Sequence, residues 1–98
     1  MNNVLTDEEL KSHLIRCPEW LAGEVGGERC ISREWSFDNF RDAFAFAGKI
    51  ADLAENYNHH PQMTVGWGSL TVTWWSHDAG GVTQSDLEMA ALCDHLST

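Results

Sequence analysis

Between positions 55 and 86 the chain brings together Glu55, His59, His60, Trp67, His77 and Asp86. The run Glu55-Asn56-Tyr57-Asn58-His59-His60-Pro61 sets two imidazoles side by side before a proline, with His77 and Asp86 following across an expected hairpin. Imidazole changes protonation near neutral pH, so three such groups beside carboxylates suit a reaction that donates one proton and removes another. Pro61 lacks an N–H and disfavours helical geometry in the residue before it. His59 and His60 are therefore expected at a helix C-terminus, where the negative end of the dipole favours cations. Histidine is a common helix cap, and it is the whole set rather than His-His-Pro alone that argues for chemistry. Asp86 carries two readings: three residues after Thr83 it completes a capping box, and it also lies within reach of the histidine cluster.

The elements that must position these groups are legible in the periodicity. Thr6 and Glu9 form a capping box ahead of a helix with Leu10, Leu14 and Cys17 on one face, ending near Arg16 before Pro18. The turn Glu24-Val25-Gly26-Gly27-Glu28-Arg29 separates a strand near Trp20 from a second at Ile31–Ser36, where Ile31, Trp35 and Phe37 share one parity and Arg33 interrupts it. From Phe37 the period becomes helical, with Phe37, Phe40, Phe44, Ala47, Ile50 or Ala51, and Ala54 forming the expected core stripe. Ser36 is the expected N-cap, Asp38 the first-turn carboxylate, and Tyr57 the approximate end. Two strands follow, Met63–Trp67 and Ser69–Trp75, with Leu70, Val72 and Trp74 on a buried face and Thr71, Thr73, Trp75 and His77 on a polar one. Trp75 is expected to wall a pocket or meet another subunit. Thr83 with Asp86 opens a last helix. The order α-β-β-α-β-β-α predicts an α+β fold, a four-stranded antiparallel sheet with three helices on one face, as a single domain over 1–98.

Fifteen acidic and six basic side chains give a net charge of −9 without a Lys/Arg cluster, which argues against direct nucleic-acid binding and against anionic membranes. No run is long and apolar enough to span a bilayer, and the first residues lack the basic start and apolar core of a signal peptide. Cys17, Cys30 and Cys93 are odd in number and widely spaced, so free thiols in a reducing, cytoplasmic setting are expected. His13 and His95 are expected to be solvent-exposed. A small domain with five tryptophans has apolar surface to cover by self-association.

Glu55, His59-His60-Pro61, Trp67, His77 and Asp86 stand at spacings that resemble the pterin-4a-carbinolamine dehydratases, also known as dimerisation cofactors of a homeodomain transcription factor. The preceding stretch, REWSFDNFRDAFAFAGKIADLAENYNHHP, also resembles that family's aromatic-rich strand and helix, so the likeness covers roughly residues 20–96. The resemblance implies dehydration of 4a-hydroxytetrahydropterin to quinonoid dihydropterin, with a small-molecule pterin substrate and assembly as a homodimer or homotetramer. It also implies acid-base roles for His59 and His77, an orienting or binding role for His60, a supporting role for Glu55, and pocket contributions from Trp67 and Asp86. Asn58, where some relatives carry Asp, and the large Trp75 beside His77 depart from the pattern.

Two other readings compete. A zinc hydrolase using His59, His60 and His77 with Glu55 as base is disfavoured because adjacent histidines rarely converge on one ion and no HExxH spacing occurs. A non-catalytic pterin-binding or protein-partner module, similar to a transcriptional coactivator, remains open because fold alone does not fix function. Elimination of water needs only proton transfer and a shaped pocket, so no metal or other cofactor is expected.

Overall fold

The computed structural model describes residues 3–97, with α1 (Asp7–Arg16), β1 (Leu21–Val25), β2 (Glu28–Ser36), α2 (Phe40–Tyr57), β3 (Gln62–Gly66), β4 (Ser69–Trp74) and α3 (Gln84–Leu96). The strands form one antiparallel sheet in the order β1-β2-β4-β3, so each hairpin contributes its second strand to the centre. The fold is the expected α+β arrangement.

Alternation along the central strands separates the two faces. The pairs Ile31↔Trp74, Arg33↔Val72 and Trp35↔Leu70 put one parity of β2 and β4 against the helices. Ile31, Leu70, Val72 and Trp74 are fully buried there, in one core with Leu10 of α1, Phe46, Ala47, Ile50 and Ala54 of α2, and Met89, Ala90 and Cys93 of α3. The opposite parity is polar: Ser32 and Thr73 are cross-strand partners whose hydroxyls hydrogen-bond at 2.8 Å.

Arg33 lies on the core face and is accommodated there. Its guanidinium stands 4.5 Å from the Trp35 ring centroid, and its Nη1 donates to Asp94 Oδ1 at 2.6 Å. Asp94 also accepts the Trp20 indole N–H, so one α3 carboxylate answers two donors from the sheet side.

The Thr6 box forms as expected, with Thr6 N–H donating to Glu9 Oε1 at 2.8 Å and Glu9 N–H to Thr6 Oγ1 at 3.1 Å. The start of α2 differs from expectation. Ser36 pairs with Ser69 as the last residue of β2, and Phe37 N–H donates to Gly68 O, so the sheet holds the chain past the expected cap. Asn39 caps instead, accepting from Asp42 N–H at 2.8 Å, and Asp42 replaces Asp38 as the first-turn carboxylate.

The core stripe of α2 is also corrected. Ala43, Phe46, Ala47, Ile50 and Ala54 are buried, while Phe40 and Phe44 are 49% and 62% exposed and stack on each other at 6.2 Å. Three- and four-residue spacing is shared by adjacent stripes, and Phe44 lies roughly 100° around the helix from the centre of the buried one. His95 is exposed as expected, but His13 is half-buried, as is Trp75.

Candidate active site

The site begins where α2 stops. Asn58 adopts the left-handed conformation (φ 50°, ψ 42°), and the N–H groups of Asn58 and His59 return to the carbonyls of Ala54 and Glu55. This is a Schellman-type ending, and asparagine is the side chain that best tolerates αL after glycine. Asn58 is therefore the cap, in place of the two histidines, and the reversal directs His59 back over the sheet. Its ring stacks on Trp74 with centroids 5.3 Å apart and an interplanar angle of 27°.

Beneath His59 lies the fully buried carboxylate of Asp86. Oδ1 accepts from His59 Nε2 at 2.6 Å. Oδ2 accepts from Ser76 Oγ at 2.8 Å, Thr83 N–H at 2.8 Å and Thr83 Oγ1 at 3.2 Å. The two readings of Asp86 are thus compatible: one oxygen caps α3 and the other holds the imidazole. An ionised carboxylate only accepts, so it assigns the ring N–H to Nε2 and leaves Nδ1 as the lone-pair nitrogen of a neutral His59.

His59 lines a cleft of about 460 Å³ together with Tyr57, Asn58, Ser76, Asp78, Ala79 and Ser85. That volume suits a small bicyclic ligand. The walls come from the end of α2, the loop after β4 and the first turn of α3, which puts the cleft at one end of the sheet beside the helices.

The remaining expected site residues are distributed around this point. His60 is half-exposed and its Nε2 pairs with Glu55 Oε2 at 2.5 Å, so Glu55 supports His60 and not His59. Trp67 is 73% exposed between β3 and β4. His77 is 86% exposed, and its Nδ1 meets Glu28 Oε1 at 2.9 Å. That hydrogen bond, together with the negative charge of Glu28, raises the His77 pKa above the ordinary histidine value, and Asp78 adds to the effect. The three imidazoles therefore meet three different carboxylates, and only Asp86, the partner of the half-buried His59, is fully buried.

Sequence reasoning did not single out Ser76 or Glu28. Period-two alternation carries a signal for Ser76, which continues the Trp74 parity toward the helices while His77 continues the polar one. Nothing local marks Glu28, whose partner is 49 residues away.

Comparison with known proteins places the chain in a family. A protein of Marinobacter nauticus is 44% identical over 92 residues, covering 94% of this chain and 83% of its own length. One of Hahella chejuensis is 41% identical over 86 residues, covering 88% and 77%. Both bear provisional pterin-4-alpha-carbinolamine dehydratase names. A crystal structure from Brucella melitensis, described as a transcriptional coactivator/pterin dehydratase, superposes with a TM-score of 0.85 at 31% identity, covering 98% of this chain and all of that one. Residues 3–96 match the pterin 4 alpha carbinolamine dehydratase family, and the chain belongs to it.

Proposed function

We propose that this protein is a hydro-lyase that converts 4a-hydroxytetrahydrobiopterin to quinonoid dihydropterin and water during tetrahydrobiopterin recycling. The observation that carries this reading is His59 lining the cleft with Nε2 held by a buried, fully hydrogen-bonded Asp86. The C4a hydroxyl leaves as water when it receives a proton, and a ring N–H gives up its proton as the new double bond forms. No net oxidation occurs, so proton transfer and positioning suffice. His59 handles one proton at Nδ1 and His77 the other, His60 orients the pterin, and Glu55, Trp67 and Asp86 complete the surroundings.

In the same reading residues 1–98 are a single dehydratase-like domain that works in the cytoplasm as a homodimer or homotetramer. The free thiols of Cys17, Cys30 and Cys93 support the compartment. The exposed Phe40, Phe44 and Trp67 support assembly. No helix among the described residues is long and apolar enough to cross a membrane.

The test is the dehydration rate of chemically generated 4a-hydroxytetrahydropterin, followed by ultraviolet absorbance, for wild type, His59→Ala and His77→Ala. Acceleration by wild type that is lost in both variants supports the assignment. The exposed aromatic surface also favours a second reading, a partner-docking module similar to a coactivator. A folded, pterin-binding wild type without turnover would select that reading.

A further inference from the structure

We propose that Glu28 is the positioning residue for His77, holding Nδ1–H so that Nε2 is presented to the substrate; this rests on the dehydratase reading above. The β2–β4 register pairs Ile31 with Trp74, and continuing it three positions beyond the end of β4 sets Glu28 opposite His77. Both side chains then fall on the polar parity of the sheet, which is why they meet at 2.9 Å.

The backbone on both sides of the pair is constrained. Ser76 and Gly81 are bridged, with Ser76 N–H donating to Gly81 O and the N–H groups of Ala79, Gly80 and Gly81 all returning to Ser76 O. Gly80, at φ +87°, would place a Cβ 3.9 Å from Glu28 Oε2, so the loop passes beside that carboxylate. On the strand side, Arg29 next to Glu28 pairs with Asp7 of α1 through two contacts at 3.1 and 3.3 Å at the turn end of the β1–β2 hairpin. The imidazole itself is 86% exposed, so its own torsions are the freedom that remains. Glu28, only 24% exposed, removes it. Asp78, the next residue, lines the cleft beside His59. The charged groups facing His77 are thus Glu28 from β2 and Asp78 from its own loop.

A carboxylate that fixes a catalytic ring acts on turnover more than on affinity. Glu28→Gln is expected to lower kcat about 10-fold or more with KM changed less than about threefold, in line with loss of a supporting partner. The pH limb owned by His77 should move to lower pH, because the neutral amide no longer favours the imidazolium. Glu28→Asp should recover part of kcat. In a His77→Ala background, Glu28→Gln should cost nothing further. An equal loss in that background, or a wild-type rate and unmoved pH limb in Glu28→Gln and Glu28→Ala, would overturn the proposal while leaving the dehydratase reading intact. Absence of turnover in wild type would instead remove the dehydratase reading itself. Thermal midpoints of each variant separate these effects from simple loss of fold.

Discussion

Replacing Asp86 by Asn isolates the contribution of the buried carboxylate to the site. Thr83 N–H can only donate, so the amide oxygen of the substituted side chain must take the Oδ2 position, where it also meets Ser76 Oγ and Thr83 Oγ1. The NH2 group then faces His59 Nε2, which has to become an acceptor, and the ring proton moves to Nδ1. The nitrogen offered to the cleft changes from lone pair to N–H donor. Loss of one acid-base contribution lowers a rate by about 10²–10⁴-fold, and tautomer reversal in a comparable His–carboxylate pair lies near the upper end, about 10⁴-fold. Weakening charge-assisted hydrogen bonds to neutral ones should cost about 2–3 kcal/mol. At about 4–8 °C per kcal/mol for a domain of this size, Tm should fall by roughly 10–20 °C. The assays are the dehydration rate by ultraviolet absorbance and a calorimetric scan of each variant. Asp86→Asn with His59→Ala should be no slower than the slower single variant. A folded Asp86→Asn protein that keeps the wild-type rate would refute the tautomer argument, and an unchanged Tm would refute the energetic one.

Three further expectations follow from packing and burial. Asp94→Ala strips partners from the Arg33 guanidinium and the Trp20 indole together and should cost about 2–4 kcal/mol by urea titration, while Asp94→Asn, which can still accept from Trp20, should cost less. Phe46→Ala should destabilise the chain by about 3–4 kcal/mol, whereas Phe44→Ala, two residues away and 62% exposed, should stay within about 0.5 kcal/mol in dilute denaturant titrations. Burial pushes the Cys93 thiol up to about 11, so at about pH 8 iodoacetamide should leave it unmodified in the native protein and modify the partly exposed Cys17 first, as peptide mass mapping would show.

Much of the scaffold was legible because local rules govern it. The Thr6 and Thr83 helix starts, the end of α1 and the inward parity of Leu70, Val72 and Trp74 each depend on neighbours a few residues away, and each stands as read. The misreadings share a cause. Ser36 was outcompeted as a cap because its backbone is engaged by Ser69, and Phe40 and Phe44 satisfied helical spacing without lying on the stripe that faces the sheet. Arg33 looked like a break in a strand until Asp94, 61 residues away, supplied its partner.

The same division runs through the site. Residue types and spacings alone picked out three imidazoles, a helix-ending proline and several carboxylates as candidates, since those follow from short-range geometry and from resemblance to a family. Which carboxylate meets His59 and which meets His77 was decided only by the tertiary structure. The αL turn at Asn58 carries His59 to Asp86, Glu55 keeps His60 at the surface, and the strand register delivers Glu28 to His77. The pairings of His59 and His77 depend on how the sheet register and the α2–α3 packing close over 27 and 49 residues, and no local pattern encodes that closure, whereas Glu55 and His60 meet across five residues.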